Sequence, residues 1–229
     1  MRQATNREPL PEPDQGPDRQ QGFTLIEVVI VLAVIAILVG TATPMARLLV
    51  DGSSRDAVAA DLAAIGEALQ DHYFDNGAFP VALTATGFYG THLAGGVDDD
   101  VVLDSWGGNV EYVYVLASDP DVAVVRSRGP NGVDDAGLAD DIVLTVPGAV
   151  PGGRKTRQRM RVIVEALANF LETGGTLSGT WSTDRVALGL GSAYADDGFG
   201  TAFTLDAATL VLRSAGPDRT AGNADDLTS

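Results

Sequence analysis

Cysteine is absent from the 229 residues, histidine occurs only at 72 and 92, and lysine only at 155. No disulfide, thiol nucleophile or thiolate zinc site can form. General-base, Schiff-base and imidazole–metal chemistry is poorly supplied. Positive charge is scarce as well: 15 Lys and Arg stand against 31 Asp and Glu, a formal net charge of -16. Phosphate contacts need a basic surface, so nucleic acid is not an expected partner. Carboxylate is what the chain has in excess, and oxygen-rich sites suit hard cations such as calcium. Because 45% of the residues are hydrophobic, the acidity does not imply disorder. The length suffices for one ordinary domain or two small ones.

Long polar and long apolar segments meet at one sharp boundary. Residues 1–22 (MRQATNREPLPEPDQGPDRQQG) are polar, with no apolar face at helical or strand spacing. From Phe23 the character inverts, and Glu27 is the only charge before Arg47. Val28 to Val39 is unbroken apolar sequence, and the stretch from Phe23 to Thr43 has about the 20 residues that a helix needs to cross a bilayer core. A secretory signal would want a basic region before a shorter apolar stretch, whereas Arg2, Arg7 and Arg19 are offset by Glu8, Glu12, Asp14 and Asp18. A plain anchor leaves Glu27 unexplained, since an unpaired carboxylate is costly in lipid. A buried helix of a soluble domain would not need so uniform an apolar run.

The junction Gly22-Phe23-Thr24-Leu25-Ile26-Glu27, followed by the apolar run and Pro44, resembles the cleavage-and-assembly segment of type IV pilins and of type II secretion pseudopilins. That resemblance implies cleavage by a prepilin peptidase between Gly22 and Phe23 and methylation of the new amino group. It also implies assembly with other pseudopilin or pilin subunits on an inner-membrane platform. Glu27 would then find its positive partner in the Phe23 amine of a neighbouring subunit and set register in a filament. Pro44 is expected to kink or loosen the helix. The leader is longer and less basic than is common in the family. Its loss would remove three arginines and four acids, so the acidity belongs to the exported part.

Beyond the apolar run, Val58, Leu62, Ile65, Leu69 and Tyr73 recur at helical spacing, which predicts an amphipathic stem helix after a break near Gly52. It should stop at Asn76-Gly77. A second helix is expected over 155–172, with Met160, Ile163 and Leu167 on one face, after a Pro151-Gly152-Gly153 linker and before Gly174-Gly175. Each helix is followed by an Asp-x-aromatic-Gly turn (Asp104-Ser105-Trp106-Gly107 and Asp197-Gly198-Phe199-Gly200). A strand then runs into Arg-Ser-x-Gly-Pro-[Asn/Asp] and closes in Ala-Asp-Asp-[Ile/Leu]. This is read as an internal duplication. The fold class is therefore α+β: leader 1–22, transmembrane and assembly helix 23–50, and two helix-plus-antiparallel-sheet heads over 51–150 and 151–229.

The elements Tyr73, Asn76, Gly77 and Pro80, the Asp-x-Trp-Gly turn and the closing Asp-Asp-Ile are similar to the major pseudopilin of type II secretion, well over 22–146 and more weakly over 155–229. The resemblance implies calcium in the terminal loop. Asp218, Asp225, Asp226 and Ser214 are the expected donors of the second loop; Asn131, Asp134, Asp135, Asp140 and Asp141 are those of the first. No EF-hand pattern is present, and Asp and Gly are common turn residues in any case. Arg154, Lys155, Arg157, Arg159 and Arg161 at the start of the second helix read first as a solvated helix face, with an acidic neighbour or a lipid surface as the alternatives; because cations there oppose the helix dipole, an acidic partner such as the first head is expected nearby.

The expected function is a calcium-stabilised pseudopilin subunit, single-pass in a bacterial inner membrane, with its heads in the periplasm or outside. An alternative is a type IV pilus or minor tip pilin whose second head binds a surface or a substrate. An anchored carboxylate hydrolase is disfavoured, since no paired acids can be placed in one cleft.

Overall fold

The computed structural model describes residues 24–94, 100–106, 109–118 and 121–229, with the backbone alone over 40–49 and at Asp100. Two compact units are present, Met1–Leu49 and Val50–Ser229. The first helix, α1, runs from Leu25 to Asn76. Its helical backbone continues through Pro44, and the break expected near Gly52 is absent. A lone glycine costs a helix only about 1 kcal/mol, which good helix formers on either side outweigh.

In the first unit the described side chains of α1 are exposed on every face, from Leu25 to Val39. Among the described residues no helix is long and apolar enough to cross a membrane. The stretch expected to do so, 23–43, extends past the described side chains at both ends.

In the second unit the helical stripe holds. Val58, Leu62, Ile65, Leu69 and Tyr73 are all buried, and α1 stops as expected, with Gly77 at φ 77°. Val58, Leu62, Ile65 and Leu69 pack against a three-stranded antiparallel sheet of β1 (Val113–Ser118), β2 (Asp121–Ser127) and β3 (Ile142–Pro147), ordered β1-β2-β3. Phe88, Leu93, Val102 and Tyr112 close this core.

The second helix, α2, spans Ala149–Glu172 and begins six residues before the expected start. Pro151-Gly152-Gly153 is thus its first turns and not a linker. Proline is tolerated there because the first amides lack helical partners anyway. The glycines are needed for packing: a Cβ on Gly152 would run into the Phe199 ring. One on Gly148, just before the helix, would lie 2.7 Å from the Tyr73 ring. Gly174, at φ 80°, supplies the left-handed stop, while Gly175 lies against Phe170.

Met160, Ile163 and Leu167 pack on a second sheet of β4 (Thr204–Asp206), β5 (Val211–Ser214) and β6 (Leu227–Thr228), with Phe203 and Leu212 between. Trp181, at the start of α3 (Trp181–Ala187), seals this core and donates its indole N–H to the Ala195 carbonyl at 2.9 Å. The strand registers agree between the sheets, with Ser127 opposite Ile142 and Ser214 opposite Leu227.

The two cores meet through α2 and the end of α1. Tyr73 Oη donates to Asp121 Oδ2 at 2.8 Å, and Arg219 Nη2 donates to the same oxygen at 2.6 Å. Thr156 Oγ1 donates to the Gly152 carbonyl and accepts from Gly198 N, both at 2.8 Å. Two of the α2 cations are absorbed here. Lys155 Nζ donates to the Asp75 carbonyl at 2.8 Å, and Arg159 Nη1 donates to the carbonyls of Asp196 and Asp197. Arg154 stacks on Phe74 at 4.9 Å and lies 3.9 Å from Asp71. The acidic neighbour expected in the first half is present. The helix-dipole reason for it is weak, because these cations sit in the second and third turns.

Replacing Gly152 by Ala should lower the melting temperature. The clash with Phe199 costs about 1–3 kcal/mol, more than the roughly 1 kcal/mol gained in helix propensity. Gly153→Ala should be neutral or stabilising, since its Cβ would meet only the Arg157 guanidinium at 3.6 Å. Thermal melts followed by circular dichroism would test the pair, and equal effects would contradict the packing described.

Candidate functional site

Three places carry the residues singled out in the sequence. At the amino-terminal boundary, Gly22 and Phe23 lie outside the described residues. Glu27 is in the first turn of α1, where the free amides favour a carboxylate. Its own N–H is held by the Thr24 carbonyl at 3.0 Å. It is followed by a helix surface that is apolar all round, from Val28 to Val39. Such a surface calls for apolar surroundings and cannot be satisfied by one wet face.

The first acidic loop joins β2 to β3 and is built on a buried carboxylate, Asp104. Ser127 Oγ donates to Asp104 Oδ1 at 2.9 Å, and the amides of Trp106 and Arg128 donate to the two oxygens at 3.2 and 2.6 Å. Ser127 Oγ then accepts from Gly129 N at 3.1 Å. Gly129, at φ 60°, has the Asp140 carbonyl where a Cβ would be, so only glycine fits. Asn131 N donates to Asp140 Oδ2 at 2.8 Å, and Val133 N to Asn131 Oδ1 at 2.6 Å. Asn131 Nδ2 reaches Asp135 at 2.9 Å, and the amides of Asp135 and Gly137 converge on Asp141 Oδ2. Asp134 Oδ1 accepts from Ala136 N at 3.1 Å, and the same carboxylate makes a two-pronged pair with Arg126 at 3.0 Å. Hydrogen bonding from that guanidinium holds its carboxyl below the usual range.

The second loop joins β5 to β6 and repeats these bonds. Its buried carboxylate is Asp197, which accepts from Ser214 Oγ at 2.5 Å and from the amides of Phe199 and Thr201 at 2.9 Å. Ser214 Oγ accepts from Gly216 N at 3.2 Å. Gly216, at φ 73°, lies against the Asp225 carbonyl. Asp218 N donates to Asp225 Oδ2 at 3.3 Å, Thr220 N to Asp218 Oδ1 at 2.8 Å, and Gly222 N to Asp226 Oδ2 at 2.8 Å. Asn223 Nδ2 holds Asp218 Oδ2 at 2.7 Å.

Each loop thus draws its predicted residues together around backbone amides, and Ser127 and Ser214 serve to tie the loop to a buried Asp. Among the described residues, two buried carboxylate oxygens at matching positions have no donor, Asp141 Oδ1 and Asp226 Oδ1. Among the described residues, no group of three or more His, Asp or Glu side chains converges as a metal site would require. A cation at either loop would therefore be completed by carbonyl oxygens.

Sequence reasoning missed the anchoring role of Asp104 and Asp197. The signal was available: both head an Asp-x-aromatic-Gly turn, and each stands upstream of an identical Arg-Ser pair. It also missed Asp121 and Arg219, which carry no motif.

Residues 17–43 match the prokaryotic N-terminal methylation motif. The type II secretion system core protein G of Escherichia coli (strain K12) is 26% identical over 135 residues, which cover 55% of this chain and 90% of the relative. The core protein G of Klebsiella pneumoniae is 27% identical over 134 residues, covering 54% of this chain and 93% of the relative. No solved structure matches the chain. The methylation motif at the polar-to-apolar boundary and the likeness to nearly the full length of a secretion core protein support a type IV pilin-like pseudopilin, and subunits of that kind are structural and not enzymes.

Proposed function

We propose that the chain is a subunit of a pilus-like filament in a type II secretion system, anchored in the inner membrane until it assembles. The observation that carries this reading is the methylation motif over 17–43 coinciding with a helix whose described apolar side chains are exposed on every face. In lipid or in a bundle of like helices that surface is stable; in water it is not. A prepilin peptidase cuts between Gly22 and Phe23, and Glu27 takes the freed amine of a neighbouring subunit.

The second half of the chain is a second copy of the helix-plus-sheet unit. Its support is the agreement of bonds and not of sequence alone. Asp104, Ser127, Gly129, Asp140 and Asp141 stand in the same hydrogen-bonded relation as Asp197, Ser214, Gly216, Asp225 and Asp226.

Each loop holds calcium, with Asp141 and Asp226 contributing their unpartnered oxygens and neighbouring carbonyls completing the shell. Calcium supplies positive charge where a buried carboxylate oxygen otherwise has none. The amides already bonded to the other oxygen of each carboxylate orient it.

Three outcomes are expected. Mass spectrometry of the mature protein should show a start at methylated Phe23; an intact leader would overturn the processing claim. Glu27→Ala should leave cleavage intact and reduce filament formation at least several-fold, seen by electron microscopy, and normal filaments would remove its register role. Calcium at about 100 times its dissociation constant stabilises a folded protein by about 2.7 kcal/mol per site, which for a unit of this size means a rise of about 5–10 °C in melting temperature for each loop filled. A chelator should reverse that rise, and Asp141→Asn with Asp226→Asn should abolish it. A wild-type melt indifferent to calcium would remove the metal from the proposal.

A further inference from the structure

Two of the five cations in the middle of α2 have no structural task. Lys155 and Arg159 are spent on carbonyls, and Arg154 on Phe74 and Asp71. Arg157 and Arg161 are exposed and form no ion pair among the described residues. With Arg154 they line an open groove of about 510 Å³, floored by Met160 and Val164 and bordered by Thr228 and Ser229 at the end of β6. Arg154 also borders a neighbouring hollow of about 380 Å³, whose wall on α1 carries Glu67 and Asp71. One furrow therefore has a basic end on α2 and an acidic end on α1. Glu67 is exposed, and among the described residues Asp71 is held by the loose, well-exposed pair with Arg154 at 3.9 Å.

We propose that this furrow is a contact between copies of the chain, in which the Glu67 and Asp71 end of one copy seats on the Arg157 and Arg161 end of the next. A chain with a formal net charge of -16 repels its own copies over most of its surface. A patch of three arginines is where that repulsion reverses, and a second copy brings the acid that complements it. The floor of Met160 and Val164 excludes water around the charges, which strengthens them beyond an ordinary surface pair. Because the two ends are different patches of one molecule, the contact can be repeated from copy to copy. The inference rests on the filament-subunit reading and adds to it a surface outside the apolar helix.

The test uses the full chain in neutral detergent, with self-association measured by sedimentation and melting temperature as the folding control. Arg157→Glu with Arg161→Glu, and separately Glu67→Arg, should each weaken association about tenfold or more, and the wild-type association should fall as salt is raised. Mixing the two variants restores opposite charges at every contact, so association should return in the mixture. Equal assembly of wild type and both variants would overturn the furrow and leave the subunit reading intact. A wild-type chain that does not assemble would overturn both. Binding of the wild type to phosphatidylserine vesicles, lost in the double arginine variant while self-association is unchanged, would also overturn the proposal and reassign the patch to a lipid surface.

Discussion

A single carboxylate oxygen ties together the two halves of the unit Val50–Ser229. Asp121 Oδ2 accepts from Tyr73 at the end of α1 and from Arg219 in the second acidic loop, at 2.8 and 2.6 Å. Segments 48 and 98 residues away in sequence therefore converge on the first residue of β2. Burial and the bond to Asp121 push the Tyr73 phenol well above its ordinary pKa, so it remains a donor at any physiological pH. Much else follows from this placement. Tyr73 can lie flat beneath the chain only because residue 148 is glycine, and that approach sets where α2 begins. The start of α2 in turn brings Gly152 against Phe199, which fixes the turn carrying Asp197. The node is only partly shielded from solvent, so its value lies more in directing several segments to one point than in raw stability.

Part of the acidity that dominates the composition is turned inward onto backbone amides. Asp104 and Asp197 are almost fully buried, and each replaces water with a serine hydroxyl and two N–H groups. Asp184 does the same at the start of α3. Burial alone would raise its pKa, but the amides of Ser178 and Gly179 at 2.6 and 3.0 Å hold it below the usual carboxylate range. The sign of the consequence is fixed. Its contribution is complete above the unfolded carboxylate pKa and is lost as pH falls through the lower folded value. In a chain this poor in cations, backbone amides do the neutralising that lysine and arginine do elsewhere.

Legibility tracked how local the physics is. The buried stripe from Val58 to Tyr73, the stop at Gly77 and the face of Met160, Ile163 and Leu167 were readable because helical periodicity and glycine termination are properties of a few successive residues. The start of α2 was not. Pro-Gly-Gly reads as a linker by propensity, and only the Phe199 ring, 47 positions on, explains why two glycines belong inside a helix. The acidic loops were found as repeated motifs, whereas the carboxylates that anchor them became visible only once each turn was seen beneath its Ser. Asp121 and Arg219 had no local signature, since their meaning depends wholly on where three separate segments meet.

The two loops differ most where that meeting occurs. In the first, the residue after Asn131 is Gly132, at φ 70°; in the second, the residue after Asp218 is Arg219, at φ 59°. Glycine adopts this left-handed conformation freely, but a residue with a side chain pays about 1–2 kcal/mol for it. The cost is offset by what the conformation permits. From this position the guanidinium donates through Nε to the Phe199 carbonyl at 3.0 Å and through Nη2 to Asp121. A glycine there would relax the second loop and leave Asp121 with Tyr73 alone, whereas an arginine at 132 has no described partner to justify the strain. The two loops are alike in the bonds that close them, and they part where the second loop must also hold the first sheet of its own unit.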